Sequence, residues 1–451
     1  MSEKIYIAYN WIGPRGPIGN IRTPDIYDLA MVETYTNIHC EADCPRETFG
    51  YNCVDYGNKV GTNYKIIPAS SCDPKDTFLF PVSLGHKDDI NYLFSPNFGL
   101  LERSRTWQRT LELIRHCKGY LVLEHGFEAF VTDPELDVMH NYLKHHQIPG
   151  NKVIYATGTG NIEEIYQYYC ARRQIHERDQ IKFVRFFPTM ESFAINENRD
   201  PHENKYDPEH FPGHKFLSLN LRPRPHRTLL LGMFHKLGLL ENSYFSYIGL
   251  NPGESILSKL DEPYMEECGV NVDHYHEIQE LLEQGKFYVD PDPINQTDVI
   301  SDVNAYDRMI PYYNDTLLSI TTETTFHTDI MSVTEKSFKP VKYKHPFILV
   351  AAPNALRNMQ EMGFKTFSEF WPEDYDEIRH HNTRLRRIAE ICTEINTWSR
   401  EDVMEFRRKV KPIVEHNYEL LVSNPYDTVY KDMYDHVVAH SQTLQITEDI
   451  Q

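Results

Sequence analysis

The chain has 451 residues, 40% hydrophobic and 25% charged, a globular composition long enough for two or three domains and a substantial core. Its net charge of −20 argues against a protein that coats nucleic acid non-specifically, because phosphate contacts need an excess of Lys and Arg. No run of about 18 apolar residues occurs, so no membrane-spanning helix is expected.

The opening, Met1-Ser-Glu-Lys-Ile-Tyr-Ile-Ala-Tyr9, runs into a strand over 4–9 without the charged and apolar regions of a signal peptide, which predicts a cytoplasmic protein. Trp11-Ile-Gly13-Pro-Arg15-Gly16-Pro-Ile-Gly19-Asn20 follows as a glycine-rich loop. There a backbone can approach a ligand closely, and Gly13, Arg15 and Gly16 are its candidate contacts; a plain turn is the alternative. Between 35 and 100 periodicity is poor and turn residues are frequent, which predicts an irregular insertion. Cys40, Cys44, Cys53 and Cys72 fall there, but their spacing fits no zinc pattern, and free thiols are the expectation.

A helix over 104–118 leads to the strand Gly119-Tyr-Leu-Val-Leu123 and then to Glu124-His125-Gly126, with Glu128 close behind. Thr132-Asp133-Pro134 opens a helix to about 146. The strand Asn151-Lys-Val-Ile-Tyr-Ala156, a helix ending near 173 and a strand over 182–187 complete an alternation that predicts a parallel sheet. Residues 196–214 are rich in Asn, Asp, Glu, His and Pro and read as an interdomain linker.

A second sheet begins at Phe216, within Lys215-Phe-Leu-Ser-Leu-Asn220-Leu-Arg222-Pro-Arg224-Pro-His226-Arg227. A helix over 227–237, a strand over 244–248 and a polar insertion over 251–300 follow. The run Thr316-Leu-Leu-Ser-Ile-Thr321 suits a strand, and Glu323 stands at its carboxyl end, the edge where open α/β sheets bind ligands. Thr334 is a plausible N-cap before Glu335 and Lys336, leaving backbone N–H groups for an anion. Lys339, Lys342 and Lys344 add positive charge, and Pro340 keeps that helix short or bent. Residues 345–353 read as the next buried strand. Beyond 367 the chain is mostly helical, with Ser399 as an N-cap before Glu401 and Asp402. The basic stretch 379–411, with Arg384, Arg386, Arg387, Arg400, Arg407, Arg408, Lys409 and Lys411, reads as a solvated helix face or a surface for an anionic acceptor.

The order Glu323, Val333-Thr334-Glu335-Lys336, helix, buried strand, preceded by the 215–227 segment, resembles the donor-site signature of the fucosyltransferase-like and exostosin-like glycosyltransferases of the GT-B fold. The similarity covers about 215–368. It implies an α/β protein of two Rossmann-like domains with a cleft between them and C-terminal helices. The expected division is an acceptor-side domain over 1–205, a donor-binding domain over 206–375, and helices over 376–451 packing back on the first domain.

The implied activity is transfer of a sugar from a UDP- or GDP-sugar to an acceptor hydroxyl. No cofactor is required beyond the donor cosubstrate, because basic side chains and helix N-termini take the place of a metal. Arg222, Arg227, Lys336, Lys339 and the Thr334–Glu335 backbone are the phosphate candidates, with Arg224 a less favoured one. Glu323 and Glu335 would accept bonds from sugar or ribose hydroxyls. An inverting reaction needs a general base, for which Glu124 and His125 are the candidates and Glu128 the reserve; a retaining one does not.

The acceptor is a glycan, another small hydroxyl compound, or a hydroxymethylated cytosine in phage DNA. The last follows by analogy with DNA-modifying GT-B enzymes, and it would place the protein in a bacterial or phage-infected cytoplasm. The alternative from another class is a sugar-nucleotide or nucleic-acid binding protein without turnover. A Rossmann dehydrogenase is poorly supported, since no Gly-x-Gly-x-x-Gly opens a helix after a strand.

Overall fold

The structure, a computed structural model, describes residues 4–9, 61–68, 72–84, 90, 94, 105–125, 131–186, 206–247, 250, 254–259, 262–284, 287, 309–423 and 427–441. The chain forms two compact units, one from residues 1–191 with 425–451 and the other from 192–424.

The first unit holds strands β1 (Ile5–Tyr9), β2 (Tyr64–Pro68), β3 (Thr77–Leu84), β4 (Gly119–His125), β5 (Val153–Thr157) and β6 (Lys182–Arg185). Helix α1 (Arg105–His116) precedes β4, α2 (Asp133–His145) precedes β5, and α3 (Ile162–Arg173) precedes β6. All pairings are parallel, in the order β2-β1-β3-β4-β5-β6. Each strand after β3 is reached through a helix, as parallel pairing demands. Leu121, Leu123, Val153, Tyr155 and Phe183 on the sheet pack with Leu136, Met139 and Tyr166 of the helices.

Strands β2 and β3 fall inside the stretch expected to be irregular. Pro81 weakens the strand signal of β3, yet pairing with β1 ends at Leu79, before the proline. The first strand and the later alternation agree with expectation. The loop 11–20, with Gly13, Arg15 and Gly16, lies outside the described residues, as do Glu128, Cys40, Cys44 and Cys53.

The second unit holds β7 (His214–Asn220), α4 (Pro225–Lys236), β8 (Ser243–Tyr247), α5 (Glu262–Glu267), α6 (Val272–Glu283), α7 (Ile310–Asn314), β9 (Thr316–Thr322), α8 (Glu335–Lys342), β10 (Phe347–Val350), α9 (Ala355–Glu361), α10 (His381–Asn396) and α11 (Arg400–Val422). Its sheet is parallel in the order β10-β9-β7-β8. The stretch read as a polar insertion contains α5 and α6, whose Met265, Tyr275 and Ile278 are buried, with α6 against α4. Asn271 caps α6 by accepting from the His274 backbone N–H, a start signal that the surrounding charge obscured.

Two parallel α/β sheets of Rossmann-like type are therefore present, as expected. The terminal helices divide differently. α10 packs on α4 and α11 on α8, inside the second unit. α12 (Asp427–Ser441) belongs to the first, where Tyr430, Met433 and Val437 are buried and the Tyr64 hydroxyl donates to the Tyr430 carbonyl at 2.8 Å.

Candidate functional site

In the second sheet β7 connects through α4 to β8 on one side, while β9 connects through α8 to β10 on the other. The order thus reverses between β7 and β9, and the crevice beyond the carboxyl ends of such a pair is where open α/β sheets bind ligands. Asn220 ties the pair together. Its Nδ2 donates to the Ser218 hydroxyl at 3.0 Å, and its Oδ1 accepts from the Thr322 hydroxyl at 2.6 Å.

Two helices start at this edge. Arg224 is the extended N-cap of α4 and makes no side-chain cap bond; Pro225 opens the helix, and its first turn holds no acidic residue. Uncapped N–H groups and the positive end of the helix dipole favour an anion there. Arg222 is exposed and Arg224 half-buried beside it. Across the crevice, the Thr334 hydroxyl caps α8 by accepting from the Lys336 N–H. Lys336 Nζ donates to Glu335 Oε1 at 2.7 Å and to Thr334 Oγ1 at 3.0 Å. The Glu335 and Lys336 side chains keep 30% and 26% of their surface, enough to meet a ligand.

Three predicted ligand contacts lie deeper than expected. Glu323 is fully buried. One carboxylate oxygen accepts from the Thr334 N–H at 2.8 Å and the Ser337 hydroxyl at 2.5 Å, the other from the Thr334 hydroxyl at 2.7 Å. It therefore orients α8 rather than reaching a sugar hydroxyl. Arg227, 4% exposed, donates to the carbonyls of Arg222 at 2.9 Å and Thr322 at 3.0 Å. Its Nε is buried without a partner. It braces the turn after β7 against β9. Lys339 is 8% exposed on α8.

Electrostatics tie these groups together. Burial lowers the Arg227 guanidinium to about 10, against the pull of Glu323. Burial also lowers Lys339 to about 8, with Glu335 and Glu323 opposing and Lys336 and Arg227 reinforcing the shift. Burial would raise Glu335, but Lys336 and Lys339 outweigh it and hold the carboxyl at about 2. Arg227, Lys336 and Lys339 thus face Glu323 and Glu335, a cluster with positive charge in excess before Arg222 and Arg224 are added. His226 is kept neutral by burial and by Arg227 and His327, and it bonds through Nε2 to the Glu323 carbonyl at 2.9 Å.

On the first sheet, Glu124 and His125 end β4 instead of following it. Glu124 is registered between Ser83 and Ala156. The His125 ring is fully buried, with Nδ1 2.7 Å from the Tyr155 hydroxyl. The ring thus lies inside the unit, deeper than its expected place at the strand's carboxyl end. The corresponding reversal of order falls between β1 and β3, and the glycine-rich sequence follows β1.

The basic stretch 379–411 is engaged in part, while Arg379, Arg400, Arg408 and Lys409 are exposed. Arg387 pairs with Asp374 at 3.0 Å, Arg408 with Glu209 at 2.8 Å and Lys411 with Glu415 at 3.7 Å. Arg407 donates to the Asp207 carbonyl at 2.7 Å, and Arg384 is buried among carbonyls. Arg386 is exposed. Among the described residues no cluster of His, Cys, Asp or Glu is arranged to hold a metal. The sequence carries Asp374-Tyr-Asp376 and Asp290-Pro-Asp292. In the first, Asp374 takes Arg387, and Asp376 accepts from the Leu356 and Arg357 N–H groups that open α9. The second lies outside the described residues.

Sequence reasoning gives no role to His226 or Ser337. Ser337 stands one turn after the Thr334 cap and could have been read as its companion. Arg384 counts in the basic stretch as a surface charge, and its burial on backbone carbonyls corrects that placement.

The sequence matches no protein-family model, and no curated protein sequence matches it. Among solved structures the chain is similar to an alpha,alpha-trehalose 6-phosphate synthase from Burkholderia multivorans, with TM-score 0.41 and 11% identity over 98% of each chain. It is similar to a UDP-forming alpha,alpha-trehalose-phosphate synthase from Burkholderia vietnamiensis, with TM-score 0.41 and 11% identity over 99% of this chain and 100% of that one. A UDP-forming synthase from Burkholderia xenovorans gives TM-score 0.42 and 11% identity over 98% and 100%. Likeness at this level leaves the functional reading to rest on the site itself.

Proposed function

We propose that the chain is a glycosyltransferase of GT-B type that binds a nucleotide-sugar donor at the β7/β9 edge of its second unit. The observation that carries this reading is the cationic excess of Arg227, Lys336 and Lys339 over Glu323 and Glu335 at the topological switch point, flanked by the α4 N-terminus. An anionic ligand completes that charge balance. The asymmetry of the two helix starts supports a two-part ligand. Phosphate oxygens suit the acid-free start of α4 with Arg222 and Arg224, whereas Glu335 offers carboxylate oxygens to ribose or sugar hydroxyls.

In this reading the protein neutralises the charge that develops on the departing nucleoside diphosphate as the anomeric bond breaks. Lys336 supplies that charge at the surface, with Lys339 and Arg227 behind it. Glu124 remains the acceptor-side candidate. The burial of Arg384 and Arg407 and the carboxylate partners of Arg387, Arg408 and Lys411 weaken a DNA acceptor, and we place a small hydroxyl compound or glycan ahead of it. A fucosyltransferase-like donor preference has no support beyond the sequence resemblance.

The test is binding and hydrolysis of UDP- and GDP-sugars by the wild type, Lys336→Ala and Glu124→Gln. The reading expects binding of a donor to fall about tenfold or more in Lys336→Ala, as for a lost charged phosphate contact. Glu124→Gln should keep donor affinity while transfer drops. Donor binding without turnover in any assay would favour a binding protein.

A further inference from the structure

Arg384 of α10 is 1% exposed. Its Nη1 donates to the carbonyls of Ile378 and Arg379, and its Nη2 to the carbonyl of Phe326. The guanidinium carbon also lies 4.4 Å from the centre of the Phe326 ring. His226 stacks on the same ring, with centroids 4.9 Å apart and planes 20° apart. A buried guanidinium whose hydrogen bonds all go to carbonyls, with Asp376 and Asp329 acting on it only through their field, is costly to keep. Its position gives that cost a use.

Phe326 sits within the irregular backbone that joins the end of β9 at Thr322 to the start of α8 at Glu335. Other bonds hold this connection near its ends. Arg227 binds the Thr322 carbonyl, His226 binds the Glu323 carbonyl, and the Glu323 carboxylate binds Thr334. Arg384 grips the connection at Phe326, between those ends, and ties it to the 378–379 segment before α10.

We propose that Arg384 is a positioning residue that pins the 323–334 connection at Phe326, so that the α8 N-terminus and Lys336 stand in their ligand-binding geometry before the ligand arrives. The proposal deepens the donor-site reading above and rests on it. Its arithmetic is that of a population shift: if the connection is correctly placed in only about a tenth of molecules, apparent affinity falls about tenfold with no ligand contact removed.

The test uses the full chain and Arg384→Lys, which keeps the charge but cannot span three carbonyls. Backbone hydrogen exchange of the ligand-free protein, melting temperature and donor affinity are measured together. The expected result is exchange over 324–334 faster by about tenfold or more, with exchange in β7 and β8 unchanged. Affinity for the nucleotide sugar that the wild type binds should fall about tenfold. Arg384→Met should exceed both effects; if it fails to fold, Arg384→Lys decides alone. Unchanged exchange over 324–334 overturns the proposal. So does a uniform loosening of the whole unit, or a loosened connection with unchanged affinity. If the wild type binds no nucleotide sugar, the donor-site reading falls by itself, and the exchange rates alone judge the pin.

Discussion

Glu323 and Lys339 show how little an ionisable residue's place in a motif says about its job. Both stand where a ligand contact is expected, and both are buried. The Glu323 carboxylate collects three donors from Thr334 and Ser337. Removing it leaves the Thr334 N–H and two hydroxyls without this acceptor. Glu323→Ala should therefore cost about 3 kcal/mol of stability, and Glu323→Gln about half as much because the amide still offers one oxygen. Urea denaturation measures both, and equal losses would contradict this role.

Lys339 titrates lower than an ordinary lysine, at about 8 against 10.5, chiefly through burial. The unfolded chain therefore holds more protons between pH 8 and 10.5. The residue's unfavourable contribution is present in full below pH 8 and is relieved as pH rises through that window. Donor affinity should move the other way, weakening above pH 8 as the ammonium near the phosphates is lost. That slope should vanish in Lys339→Met. A slope that persists there would assign the titration to another group.

Helix α8 is short, crosses Pro340 and depends on its cap. Thr334→Ala should cost about 1 kcal/mol, and Thr334→Ser should restore most of it, since the hydroxyl makes the cap bond. The loss should appear in the binding curve as well as in the melt, because the same hydroxyl bonds Glu323 and Lys336.

This is also the scale at which the sequence was most legible. The Thr334 cap, the apolar run of β9, the helix over 104–118 and the strand after it lie close to where periodicity and capping place them. Strand β3 was hidden by Pro81, and α5 and α6 by a polar surround that masked the spacing of Tyr275 and Ile278. The interior bonds of the site left no pattern at all. Asn220 to Thr322, Arg384 to Phe326 and His226 to Glu323 join positions about a hundred residues apart or less, and single-sequence periodicity reports only on neighbours.

At the scale of the whole molecule, the first unit is discontinuous and the second continuous. The chain returns to close its first unit with α12, whose Tyr430, Met433 and Val437 are buried. Each such side chain contributes about 2 kcal/mol by burial. Ending the chain at residue 424 should therefore destabilise the first unit by several kcal/mol, seen as a lowered thermal transition, while nucleotide-sugar binding by the second unit survives. Loss of binding together with that transition would show that the donor site needs the first unit.

The measurement that tests the central claim most directly is calorimetric titration of the purified full chain with UDP, GDP and their sugars, repeated with Lys336→Ala. The account predicts that at least one nucleotide sugar binds the wild type and that affinity falls about tenfold or more in the variant. Binding that Lys336→Ala leaves unchanged, or no binding of any nucleotide sugar, would contradict a donor site at the β7/β9 edge.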